Sequence, residues 1–192
     1  GSWTALSELQ RRFAPPPLAL AKGNRHVKPF VYAAPTRSLV NILKPEASTI
    51  HLLDISWGLS GINRYSAMFP RHYSVGLHSL HVAALLPKRL RLEALLHDAA
   101  EAYLGDVPAP VKQLLSEYMA LESSMEFVIS AKFRLTEDNA DWVAVKHADI
   151  ETRFNEMASM CPHHPRLPAN WDPTAHIQPL KRSIVHATFL EM

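Results

Sequence analysis

From Leu52 onward the chain returns to apolar residues at helical spacing; before that it does not. "LLDISWGLSGIN", "SVGLHSLHVAALL" and "RLEALLHDAAEAYL" each place an apolar residue every third or fourth position, which predicts three successive amphipathic helices. The first is expected to end near Asn63, and the second to begin close to Ser74 and stop before Pro87. Gly105 and the prolines of "GDVPAPVKQLL" are expected to end the third, ahead of a further helix toward Tyr118. "EYMALESSMEFVISAKF" and "DNADWVAVKHADIETRFNEMASM" are long enough for two more. In "FAPPPLAL" and "HVKPFVYAAPTRSL" proline removes backbone donors and restricts the residue before it, so short extended pieces or a draped arm are expected there. The tail after Pro162 is again proline-rich, and "RSIVHATFLEM" reads as a last helix or an extended segment. The class is all-α, with residues 1–50 forming an arm packed on a helical domain of residues 51–192.

Composition narrows this picture only a little. A chain of 192 residues, 47% hydrophobic, can bury one core without disulfides, and its single cysteine, Cys161, forms no internal bridge. No apolar run is long enough to span a bilayer and no signal-like start is visible, so a cytoplasmic protein is expected. The formal charge of +2 is too small to argue for nucleic-acid binding, but it is unevenly spread. Between Asp54 and Glu93 there is no acidic residue, while Arg64, Arg71, Lys88, Arg89 and Arg91 fall there, and phosphates would find donors in this half.

The chemistry begins with His97 and Asp98, adjacent in a helix otherwise built of Leu and Ala, with Glu101 one turn on. Polar groups in an apolar run need something to satisfy them. Helical spacing lets all three converge on one edge. The preceding helix carries His78 and His81, and far downstream Asp149 shares a helical face with Trp142, Val145 and Glu156. Singly, each has an ordinary explanation: a lone histidine is more often packed or solvated than ligating, and a His-Asp pair can bond to itself. Together they make a histidine on one helix, a pair on the next and a distant aspartate. Two imidazoles and two carboxylates suit Mn, Fe, Co, Ni or Zn better than Ca. His147, two residues from Asp149, does not share its face and reads as a surface residue, and "CPHHP" has no second ligand pair at finger spacing. No glycine-rich phosphate loop is present. Trp3, Trp57, Trp142 and Trp171 read as core packing before base stacking.

"GINRY", "YSVGLHSLHVA", "ALLHDAAEAYLGDVPAPVK" and "VKHAD" resemble the HD superfamily of metal-dependent phosphohydrolases, named for the adjacent His-Asp pair. Within it the likeness is to small bacterial 5'-deoxynucleotidases and phage deoxynucleoside triphosphohydrolases, over roughly Asp54 to Glu156. The resemblance implies a compact HD-type domain in which His78, His97, Asp98 and Asp149 hold one divalent ion (Mn, Co, Zn, Ni or Fe), with Mg accompanying the substrate phosphates. It implies Glu101 as the acid-base or water-orienting carboxylate, Asp106 as a second carboxylate near the leaving group, and Arg64 and Lys112 as phosphate contacts. Tyr65 stands where related deoxynucleotidases often carry a tryptophan against the sugar, and is expected there. His78 and His97 are only 19 positions apart, shorter than in many relatives, which predicts a trimmed connection. The basic, proline-rich N-terminus lies outside the resemblance.

The expected function is removal of the 5'-phosphate from free deoxynucleoside monophosphates. Release of triphosphate from deoxynucleoside triphosphates is an alternative these residues do not separate. A homo-oligomer is expected, with a free deoxynucleotide as substrate and neither membrane nor nucleic-acid polymer as partner. The rival of a different class is a nucleic-acid-binding module, suggested by the basic half. A catalytically retired scaffold is a third reading, but it has no reason to keep all four ligands.

Overall fold

The computed structural model describes residues 28–69, 71–161 and 180–192. The proline-rich stretch "FAPPPLAL", most of the tail after Pro162, Trp3, Trp171 and the histidines of "CPHHP" lie outside them. The described residues are mostly helical: α1 Leu52–Gly61, α2 Val75–Ala84, α3 Arg91–Leu96, α4 Glu101–Leu104, α5 Ala109–Lys112, α6 Ser116–Phe133, α7 Asn139–Met160 and α8 Arg182–Glu191. Ahead of them an antiparallel hairpin pairs β1 (Phe30–Ala33) with β2 (Ser38–Asn41), Val31 opposite Val40. The extended pieces expected before residue 50 thus pair with each other. Asp54, buried on α1, accepts hydrogen bonds from the backbone N–H and hydroxyl of Thr36 and ties the hairpin turn to the helices.

The helix at the centre is α2. It begins where the sequence placed its start, and Ser74 caps it by accepting from the Leu77 N–H at 3.1 Å. Nearly all of its residues are buried, including His78. It packs against α1, α3, α7 and α8. Such close packing requires small residues: a Cβ at Gly76 would lie 3.0 Å from the Ser60 backbone nitrogen, and one at Gly58 3.0 Å from Ala102 on α4. Val185 and Phe189 of α8 close the core over α1 and α2, so "RSIVHATFLEM" resolves as a helix.

Two elements depart from their expected form: the helix expected toward Tyr118 is the four residues of α5, Tyr118 itself lying in α6, and the third helix is broken. "RLEALLHDAAEAYL", read as one helix, is α3 and α4 joined through His97–Ala100 by tighter turns: Ala99 N–H donates to the Leu96 carbonyl at 3.1 Å and Glu101 N–H to that of Asp98 at 3.0 Å. The cause is local. His97 Nδ1 bonds the Ala94 carbonyl at 2.7 Å, the acceptor that a regular helix offers to the N–H of Asp98. Bonds to the third preceding residue also bring residues three apart into line, so Asp98 and Glu101 share one side. Gly105, at φ 83°, ends α4 in a conformation that L residues rarely adopt.

Candidate functional site

The site is built around α2 and the turns between α3 and α4. A bridge between Asn63 and Ser74, with Arg64 N–H donating to the Tyr73 carbonyl at 2.9 Å, lays the "GINRY" segment beside the start of α2. Its continuation is strained: Tyr65, Ser66 and Ala67 all have positive φ, between 51° and 58°. The turn is held by the Tyr65 hydroxyl, which donates to Glu156, and by Asp106, which accepts from the Tyr65 backbone. It delivers the buried guanidinium of Arg64 to 3.5 Å from Asp98 Oδ2 and 3.4 Å from Glu156 Oε2.

Ligating atoms of His78, His97 and Asp98 lie within 4.8 Å of one another. Asp98 Oδ2 is 3.1 Å from His97 Nε2 and 3.9 Å from His78 Nε2, and Asp149 Oδ1 is 3.2 Å from the same His78 atom. The outer nitrogens are already committed. His78 Nδ1 is 2.6 Å from Glu156 Oε1, and His97 Nδ1 faces the Ala94 carbonyl. Glu156 is ionised: burial opposes its charge, but His78 and Arg64 overcome this and bring its pKa down to about 2. Each Nδ1 therefore donates, which turns the Nε2 atom of each ring inward. Both Nε2 atoms are buried and face the carboxylates of Asp98 and Asp149. His78, His97 and Asp98 form the group compact enough to hold an ion, and Asp149, the fourth residue the resemblance implied, meets His78 but lies outside that group.

The surrounding charges divide into acid and base. Asp98 and Asp149 stay ionised, because the neighbouring histidines outweigh the cost of burial, with Arg64 helping the first and Lys146 the second. Lys146 Nζ holds the outer oxygen of Asp149 at 2.7 Å. Glu101 behaves oppositely. Burial, followed by the charges of Asp98 and Asp106, pushes its carboxyl up to about 9, and its Oε2 has no hydrogen-bond partner. Burial likewise raises the carboxyl of Asp106, with Arg64 opposing the shift. Lys112 Nζ lies 2.6 Å from Glu122 Oε1 and 4.0 Å from Glu101 Oε1.

A cavity of about 470 Å³ opens directly on His97, Asp98 and Asp149. Glu101 and Lys112 form one wall, Glu122 and Glu126 of α6 another, and Trp142 of α7 stands farther out. The structure thus gathers His78, His97, Asp98, Asp149, Glu101 and Lys112, with Arg64 and Asp106 beside them. Tyr65 does not line this cavity: its ring lies on Phe69, with centroids 4.3 Å apart. The aromatic group that does is Trp142, 56% exposed, where sequence pattern suggested core packing; Trp57 is likewise partly exposed, under the guanidinium of Arg182. His147 is exposed, and His81 is occupied by the Tyr73 hydroxyl at 2.7 Å. Sequence reasoning missed Glu156 as the anchor of His78, although its place on the face of Asp149 was a signal. Glu122 and Glu126, four apart, gave only the pattern of an ordinary charged helix face.

No family model matches the chain. It is 39% identical over 97 residues to YfdR of Escherichia coli K12, which covers 50% of this chain and 53% of that protein. A protein of Rhodobacter capsulatus is 34% identical over 106 residues, covering 50% of this chain and 54% of its own length. Both carry the description "uncharacterized protein". The chain spans about half the length of the curated relatives it matches.

Proposed function

We propose that this chain is a metal-dependent phosphohydrolase of the HD superfamily that removes the 5'-phosphate from free deoxynucleoside monophosphates. The observation that carries the reading is the pair of buried Nε2 atoms that face Asp98 and Asp149, each ring oriented by a committed Nδ1. A divalent ion held by His78, His97, Asp98 and Asp149 would supply positive charge for the phosphoryl oxygens and activate water. Glu101, whose carboxyl is pushed up by burial and by Asp98 and Asp106, is the group to deliver a proton to the leaving oxygen. Lys112, on the same cavity wall, meets phosphate as a mobile point charge. Arg64 holds Asp98 and Glu156 in place and adds a fixed positive charge beside the cluster.

Charge balance favours one phosphate over three. Apart from Glu101, whose carboxyl is pushed up by burial, the cavity wall carries Asp98, Glu122, Glu126 and Asp149 against Lys112 and Lys146. A triphosphate would meet more carboxylates than ammonium groups there. The test is incubation of the metal-loaded protein with deoxynucleoside mono- and triphosphates and their ribo counterparts, with the products resolved by chromatography. Deoxynucleoside plus inorganic phosphate is expected. Intact triphosphate as product would replace this reading with the triphosphohydrolase, and cleavage confined to polymer would overturn the substrate class.

A further inference from the structure

A second cavity, of about 140 Å³, lies behind the first and shares His97, Ala100, Glu126 and Trp142 with it. Leu96, Ile129 and Leu135 give it apolar surface, and Glu93, Ser130 and Thr136 add polar groups, with His97 and Glu126 at the junction. Glu93 is held in place by the Thr136 backbone N–H, which donates to its Oε1 at 3.3 Å. The other oxygen, Oε2, is buried with no hydrogen-bond partner. A fixed acceptor facing an apolar slot needs a donor from outside the protein. Trp142 borders both cavities and is 56% exposed, so part of its ring surface is open to a planar partner.

We propose that this slot binds the base of the nucleotide: a planar nitrogen heterocycle stacked on Trp142, with an exocyclic amino group donating to Glu93. The proposal rests on the nucleotide reading above, because the larger cavity then spans from the phosphate at the metal residues to the base. It adds a specificity rule. Adenine, cytosine and guanine carry an amino group and satisfy the Glu93 carboxylate. Thymine sets carbonyl oxygens against it, leaving like partial charges and an unmade hydrogen bond, which discriminates strongly in a closed pocket.

Binding of deoxynucleosides without any phosphate tests this apart from hydrolysis. Deoxyadenosine, deoxycytidine and thymidine are titrated calorimetrically into the whole chain, into Trp142→Ala and Trp142→Phe, and into Glu93→Gln, with circular dichroism confirming each fold. Wild type should bind at least one amino-bearing nucleoside about tenfold more tightly than thymidine. Trp142→Ala should weaken that binding about tenfold and Trp142→Phe should largely keep it. Glu93→Gln adds an amide donor, so its preference for the amino-bearing base should narrow or reverse. Equal binding of all three nucleosides, or variants that bind as wild type does, would overturn the proposal even if monophosphates are hydrolysed. Conversely, a Trp142- and Glu93-dependent preference in a protein that hydrolyses no nucleotide would keep the base site and discard the phosphohydrolase reading.

Discussion

Glu101 is a carboxyl that folding moves out of water and next to two other acids. Its pKa is pushed up to about 9 by burial, then by Asp98 and Asp106, against about 4.3 for an ordinary glutamate. The folded state therefore binds the proton more tightly than the unfolded one. Its contribution to stability is full below the ordinary carboxylate range and is lost as pH rises through about 9. In metal-free protein, thermal unfolding from pH 5 to 9 should show wild type losing stability relative to Glu101→Gln as pH rises; parallel curves would contradict this. The same substitution should lower turnover at least about 10²-fold while metal content, measured alongside, stays unchanged. Glu156 acts one step farther out. Glu156→Gln removes the charge that faces His78 Nδ1 and Arg64, and metal affinity by calorimetry should fall about 10- to 100-fold with the fold intact. Unchanged affinity would mean that the orientation of His78 comes from packing alone.

Two glycines show how the elements constrain the site for different reasons. Alanine at Gly76 would press on the backbone of Leu59 and Ser60 between α1 and α2. Helix propensity would return up to about 1 kcal/mol, but overpacking against backbone typically costs about 1–3 kcal/mol, so the melting temperature should fall. At Gly105 a Cβ meets open space, yet φ is 83° with ψ 159°, and Gly105→Ala should cost about 1–3 kcal/mol through backbone strain alone. This distinction was invisible in sequence, because it depends on which helix lies opposite. Apolar periodicity did reveal α1, α2 and α7 almost to their ends, since each buries one continuous stripe and two carry side-chain caps, Ser74 and Asp138. It failed at His97, where a side chain takes a backbone acceptor and breaks a helix whose hydrophobic pattern runs on. The proposed metal residues were legible because their residue types are unusual on apolar faces. Trp142, Glu93, Glu122 and Glu126 were not, because an aromatic or charged residue on a helix looks the same whether it faces solvent or a cavity.

Across the whole molecule, the four proposed ligands come from three regions far apart in sequence: α2, the α3–α4 turns and α7. A cation that bridges them stabilises the folded chain alone, since the unfolded chain has no such site. Mn, Co, Ni or Zn at roughly a hundredfold excess over its dissociation constant should add about 2.7 kcal/mol, and the melting temperature should rise accordingly. Asp98→Ala should abolish that rise, because it removes a charged ligand that is common to both histidine contacts. Among the described residues no helix is long and apolar enough to cross a membrane. The most direct test of the account is anomalous diffraction from crystals grown with Mn, Co, Ni or Zn, recorded on either side of each metal's absorption edge. The account predicts one anomalous peak at bonding distance from His78 Nε2, His97 Nε2, Asp98 and Asp149; an empty cluster with every metal, or a peak held by other side chains, would contradict it.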